Sequence, residues 1–279
     1  MLGAHVSAAG GVDLAPARGH EIGCRAIQIF SRNQNRWNSP EISQERAEAF
    51  RTAIKENGIE FANTHDSYLI NLCAPDPEKR KMSLIAFKDE LWRAHQLGIS
   101  HVVMHPGSHL KEGEEWGIRE IAGSINQVLS ELEFDDVNIA LENTAGQGTN
   151  LGFRFEHLRD IIAQVKTPER MTVCFDTCHA FAAGYELRTT EGWESTWADF
   201  DRIVGLKRLA LFHVNDSKKP LGSRVDRHHN LGDGEIGLKC FEMLMQDSRF
   251  EGVPKILETP NGDEKWADEI RLLASMRNN

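Results

Sequence analysis

The chain has 279 residues, of which 40% are hydrophobic and 27% charged, and a formal net charge of −10. This is an ordinary globular composition, which excludes collagen-like, disordered and membrane classes. The acidic balance excludes a broadly basic nucleic-acid-coating surface, but not a nucleic-acid enzyme whose positive charge comes from bound metal.

No apolar run approaches the roughly 18 to 20 residues that a membrane helix needs. The opening MLGAHVSAAGG lacks the basic region and apolar block of a secretory signal. Along the chain, short β-like runs recur at 3–6, 25–30, 60–65, 101–105, 138–143, 171–176, 209–214 and 255–259. They start about 36 residues apart, close to one strand-plus-helix unit. Between the second and third, Ser43 predicts a helix cap, with Ala47, Phe50 and Ile54 on one face and Asn57-Gly58 as the stop. Leu84, Phe87, Leu91 and Ala94 repeat at helical spacing before Gly98, and Trp266, Ile270 and Leu273 do so near the end. The segment 216–237 is long, polar and glycine-rich, which predicts a functional loop. Eight such units predict a (β/α)8 TIM barrel. An open doubly wound sheet is the alternative, but no GxGxxG follows the first run. No composition shift divides the chain, so one domain is expected over 1–279.

The cysteines, Cys24, Cys73, Cys174, Cys178 and Cys240, are odd in number and form no CxxC pair. No disulfide framework is expected, and a reducing cytoplasm is the expected location. Cys178 lies between Asp176 and His179, yet a packed cysteine is the preferred reading over a nucleophile or a ligand.

The chemistry lies at the run ends. His65 and His105 end the third and fourth runs, Glu142 lies at the end of the fifth, and Asp176 ends the sixth with His179 following. His213 falls in the seventh run, Glu258 in the eighth, and the long loop adds Asp226 and His228. In a barrel these positions converge on the C-terminal mouth. Any one of them alone would read as a helix cap or a surface hydrogen-bonding group; nine together point to metal. Imidazole plus carboxylate without thiolate favours zinc, manganese or iron. His20, His95 and His157 fall in helical segments and are expected to face solvent, and His101 is expected at the opposite end of the barrel. His5, His109 and His229 remain open as supporting or substrate-contact groups.

The segments GAHVSAAGG, HDSYLINL, MHPGSH, LENTAGQG, FDTCHAFAAGY, HVNDSK and GSRVDRHHNLGDGEIG resemble endonuclease IV, the family-2 apurinic/apyrimidinic endonucleases, from Gly3 to about Glu258. The resemblance implies a TIM barrel with three zinc ions, acting as a deoxyribonuclease IV-type phosphodiester hydrolase on the 5′ side of an abasic site in double-stranded DNA. It implies His65 and His105 on the first ion, and Glu142 bridging first and second. Asp176, His213 and Glu258 complete the second, and His179, Asp226 and His228 hold the third. Glu142 is the catalytic candidate, as bridging ligand and orienter of a metal-bridged hydroxide. Tyr68 and Leu69 match a DNA-probing loop. Where the family places an arginine in the preceding loop, this chain has Asn35, with Arg36 beside it. A monomer without an obligate protein partner, near the nucleoid, is expected. The rival reading is a divalent-metal sugar isomerase or epimerase, which would use Glu142, Asp176, His213 and Glu258 alone. A non-catalytic damage sensor with structural metals is a further alternative.

Overall fold

Each β-like run becomes one strand of a closed barrel in the computed structural model, which describes residues 1–277. The first seven are β1 (Leu2–His5), β2 (Ala26–Phe30), β3 (Phe61–His65), β4 (His101–Met104), β5 (Asn138–Glu142), β6 (Met171–Asp176) and β7 (Leu209–His213). The two-residue strands β8 (Asp216–Ser217) and β9 (His228–His229) pair antiparallel in the long loop, and β10 (Lys255–Leu257) is the eighth barrel strand. β1 pairs in parallel with both β2 and β10, which closes the ring.

Helices α1 (Ala15–Glu21), α2 (Gln44–Glu56), α3 (Pro77–Leu97), α4 (Glu114–Ser130) and α5 (Phe155–Gln164) each follow one strand. Both α6 (Thr177–Ala183) and α7 (Thr190–Ile203) follow β6, and α8 (Leu238–Gln246) and α9 (Gly262–Ser275) complete the ring. The caps are local. Ser43 Oγ accepts from the Arg46 amide, Asp76 caps α3 ahead of Pro77, and Gly98 ends α3 at φ 70°, a left-handed conformation that suits glycine. Among the described residues no helix is long and apolar enough to cross a membrane.

Strand alternation sets the interior. Ala26, Val103, Ala140, Cys174, Leu211 and Ile256 form an apolar plug at the base of the barrel. Two residues further along the same strands stand Gln28, His105, Glu142, Asp176, His213 and Glu258. A period of two therefore converts one apolar layer into one polar layer at the mouth. The outward positions, among them Ile27, Ile29, Val102, Ile139, Val173, Phe175 and Phe212, pack against the helices as the main core.

His157 departs from expectation. It is buried on the inner face of α5 with Leu158 and Ile161, its ring against Phe153, and its Nδ1 accepts from the Gly152 amide at 3.2 Å. The helical segment was legible, but the histidine lies on the apolar stripe. His20 is exposed, and His95 is half-exposed, stacked on Phe134. His101 lies at the base beside Phe61.

Candidate metal centre

The mouth gathers nine histidine and carboxylate side chains from six barrel strands, the start of α6 and the long loop. Glu142, at the end of β5, is fully buried and divides its carboxylate between two groups. Its Oε2 lies 3.1 Å from His65 Nε2 and 3.2 Å from His105 Nε2. Its Oε1 lies 3.0 Å from His213 Nδ1 and 3.1 Å from His179 Nδ1. Three sets of ligand atoms result, each mutually within 4.8 Å: His65, His105 and Glu142; Glu142, Asp176, His213 and Glu258; and His179, Asp226 and His228.

Supporting contacts aim these groups. His65 Nδ1 faces the Asp66 carbonyl at 2.9 Å, His179 Nδ1 the Asn143 carbonyl at 3.0 Å and His228 Nδ1 the Glu258 carbonyl at 3.3 Å. In each case the Nε2 is the nitrogen presented to the centre. Asp176 accepts from the His179 amide, capping α6, and from Asn215 Nδ2 at 2.7 Å. The third group depends on the loop. Buried Asp216 accepts from the amides of Ser217, Gly232, Gly234, Ile236 and Gly237 at 2.7 to 3.2 Å. A Cβ at position 234 would lie 2.4 Å from Asp216 Oδ1, so glycine is required there. Gln147 Oε1 accepts from the Asp226 amide, and the Arg224 guanidinium lies over the Phe153 ring at 4.2 Å.

The electrostatics fit a divalent ion. Burial alone would raise the Glu142 carboxyl, but the imidazoles of His213 and His105 hold it well below the usual carboxylate range. Burial would lower His65, yet the Glu142 carboxylate lifts it to about 10. Burial works against ionised Asp226 too, but His179 brings it to about 2. The imidazoles therefore keep protons that a cation would displace. His179 Nε2 and His228 Nε2 are buried and face Asp226 at 3.2 and 3.6 Å without making a well-formed hydrogen bond. Buried polar atoms are rarely left so, and donor nitrogens and oxygens at these separations suit zinc, manganese or iron. Two thiols come within ligand distance as well, Cys174 beside Glu142 and His213 and Cys178 beside Asp176 and His228; burial pushes Cys178 up to about 12 and Cys174 well above its ordinary value.

Two clefts flank the centre. One of about 900 Å³ is lined by His5, Phe30, Arg32, Asn35, Tyr68, His228, Glu258 and Trp266. The other, about 390 Å³, is lined by His65, His105, Tyr68, Gln147, His179 and Asp226. Tyr68 borders both and is 66% exposed. Leu69 is half-buried and lines neither, and Arg36 is exposed outside both, next to Asn35. His5 Nδ1 lies 2.9 Å from Glu258 Oε1, whereas His109 and His229 accept from backbone amides of their own loops. Sequence reading missed Gln28, Asn63, Asn143, Gln147, Asn215 and Asp216. The signal for the first two was present: a polar residue inside an otherwise strand-like run, AIQIF or FANTH, must find a buried partner.

Fold and mouth together define a (β/α)8 barrel with clusters of potential metal-ligating side chains at the C-terminal ends of its strands. Residues 16–276 match the model of the xylose isomerase-like TIM barrel family. The chain is 52% identical over 272 residues to a probable endonuclease 4 of Geobacter sulfurreducens, covering 97% of this chain and 92% of that protein. It superposes on the crystal structure of endonuclease IV from Thermus thermophilus with a TM-score of 0.88 and 36% identity, covering 99% and 98% of the two chains. A D-tagatose 3-epimerase-like protein, at TM-score 0.72 and 18% identity over 98% and 97% of the two chains, shares the fold alone. The chain belongs to the endonuclease IV family.

Proposed function

We propose that this protein is an apurinic/apyrimidinic endonuclease that hydrolyses the phosphodiester 5′ to an abasic site in duplex DNA. The products are a 3′-hydroxyl and a 5′-deoxyribose phosphate, and the mouth holds three zinc ions. One observation carries the reading. Glu142 turns one oxygen to His65 and His105 and the other to His213, and beside it His179 and His228 turn buried nitrogens toward Asp226 at 3.2 and 3.6 Å. His65 and His105 would hold the first ion and Glu142 would join it to the second, which Asp176, His213 and Glu258 complete. His179, Asp226 and His228 would hold the third. Such ions, when bound, supply an activated water and positive charge for the phosphate and the leaving oxygen. Manganese or iron suits the same donors.

The chain's own side chains do the remaining work. Glu142 orients the nucleophilic water, so no side-chain nucleophile is required. Tyr68, between the two clefts, and Leu69 wedge the duplex, and Asn35 with Arg36 contacts it from the neighbouring loop. An abasic nucleotide has no base to unstack, so extruding it costs less than flipping an intact one. The whole chain acts as one such domain, as a monomer working on DNA in the cytoplasm. The epimerase reading uses Glu142, Asp176, His213 and Glu258 around one ion. It gives no work to His65, His105 or the third group.

The test measures metals per chain together with incision of a duplex carrying one abasic site. Three metals with incision support the proposal. One metal with sugar isomerisation overturns it.

A further inference from the structure

Gln28 lies inside the barrel, fully buried, where its strand neighbours are apolar. Its amide spans two ligands of the middle group. The Oε1 lies 2.8 Å from His213 Nε2, and the Nε2 donates to Glu258 Oε1 at 2.6 Å. Asn63 Nδ2, from β3, donates to the same Oε1 at 2.5 Å. With a donor from Asn63 on one end and a carboxylate on the other, the amide has one consistent orientation: oxygen toward His213, nitrogen toward Glu258. His213 must then carry its proton on Nε2. Its Nδ1 is left facing Glu142 Oε1 at 3.0 Å, Glu258 Oε2 at 3.3 Å and Asp176 Oδ2 at 3.9 Å.

Lone pairs do not converge at these distances without a cation or a proton among them. A free imidazole chooses between two tautomers and several rotations, and a free carboxylate between several rotations. One amide restricts both choices at once, and His5 Nδ1, 2.8 Å from its Nε2 and 2.9 Å from Glu258 Oε1, closes the same corner. The first and third groups are arranged otherwise: His65, His179 and His228 each lean on a backbone carbonyl. Only the middle group has two ligands fixed by one side chain.

We propose that Gln28 is a positioning residue for the middle metal. It sets the tautomer of His213 and the direction of Glu258 together, and Asn63 holds it in that orientation. The inference rests on the metal reading of the mouth. Loss of such a supporting partner typically weakens metal binding about 10- to 100-fold.

The experiment measures zinc per chain of the purified, zinc-loaded protein across a series of zinc-buffered solutions, with melting of the metal-free form alongside. In Gln28→Met, one of the three ions is expected to loosen by about 10- to 100-fold while the other two hold as in the wild type. Gln28→Glu keeps an acceptor for His213 and Asn63 but sets a carboxylate against Glu258. It should loosen the same ion at least as much, and it decides the matter should the methionine variant fail to fold. A role exerted partly through His213 also makes the loss on Gln28→Met smaller in the His213→Ala background than in the wild type, because only the Glu258 contact is left to lose, whereas a separate packing role costs the same in both. Additive losses, or wild-type zinc retention in both Gln28 variants, overturn the inference. Fewer than three ions in the wild type, or full retention in His213→Ala, overturn the metal reading itself, whatever Gln28 does.

Discussion

The two ends of this barrel are built from the same strands two residues apart, yet they solve opposite problems. At the base, Ala26, Val103, Ala140, Cys174, Leu211 and Ile256 fill the interior with apolar volume and leave nothing to react. At the mouth, the next inward position on those strands holds Gln28, His105, Glu142, Asp176, His213 or Glu258. Carboxylates and imidazoles there are crowded so closely that each shifts its neighbours' protonation. Burying ionisable groups so densely costs stability unless charge is matched. The base offsets that cost. Substitutions at the mouth should therefore remove function from a folded protein, and substitutions at the base should remove stability from a functional one.

The largest effect is expected from Glu142→Gln. The amide can no longer serve two groups with two anionic oxygens, so abasic-site incision should fall by more than about 100-fold, beyond the loss of an outer partner. Circular dichroism should still report a folded barrel. Near-normal incision with a full metal complement would remove Glu142 from the centre of the chemistry.

The base should show the reverse. Leu211 is fully buried in the plug, and Leu211→Ala should cost about 2 to 5 kcal/mol in urea unfolding. Incision per folded molecule should be unchanged. A loss of turnover at constant stability would mean that the two ends are not separable.

A pH series sharpens the contrast further. Lys255 opens β10 at the base, its Nζ donating to the Phe250 carbonyl at 2.6 Å and the Val253 carbonyl at 2.9 Å. Burial brings the ammonium down to about 8, from 10.5. Between those values the unfolded chain holds the proton more often than the folded one, so this group's contribution to stability rises with pH. Below about pH 8 its full cost remains, up to about 3 kcal/mol. The difference in unfolding free energy between wild type and Lys255→Met, followed from pH 7 to 10.5, isolates that slope. Parallel curves would show that Lys255 is not perturbed.

The smallest effect belongs to the wedge. Replacing Tyr68 and Leu69 together by Ala should weaken binding to an abasic duplex about tenfold, within the few kcal/mol of an unstacked step. Tyr68 is largely exposed, so the melting temperature should hardly move. A large fall in melting temperature with unchanged affinity would assign both residues to packing.

The fold was legible because barrel strands are short runs with sharp polar ends, and the observed strands end within two residues of the expected ones. All nine candidate ligands stand where strand ends and one loop bring them together. The side chains that aim them were not legible. Gln28 meets Glu258 across 230 positions of sequence, and Asp216 meets amides that follow it by up to 21. No local pattern encodes such partners. His157 shows the converse limit: periodicity identified its helix, but the ring turns inward to Phe153 and Gly152.

The carboxylate of Asp216 has a consequence beyond holding Asp226 and His228 in reach. By gathering amides from positions 217 and 232 to 237, it closes a surface loop as a cross-link would. All five cysteines are buried and unpaired, so no sulfur bridge does this work. Closing a loop of about 15 residues restricts the unfolded chain by roughly 3 kcal/mol when the link is covalent. A hydrogen-bonded closure gives no such restriction once the chain unfolds, and it is indifferent to reductants. It can also open and reseal without chemistry, which leaves two candidate ligands of the third group on a latch rather than a weld.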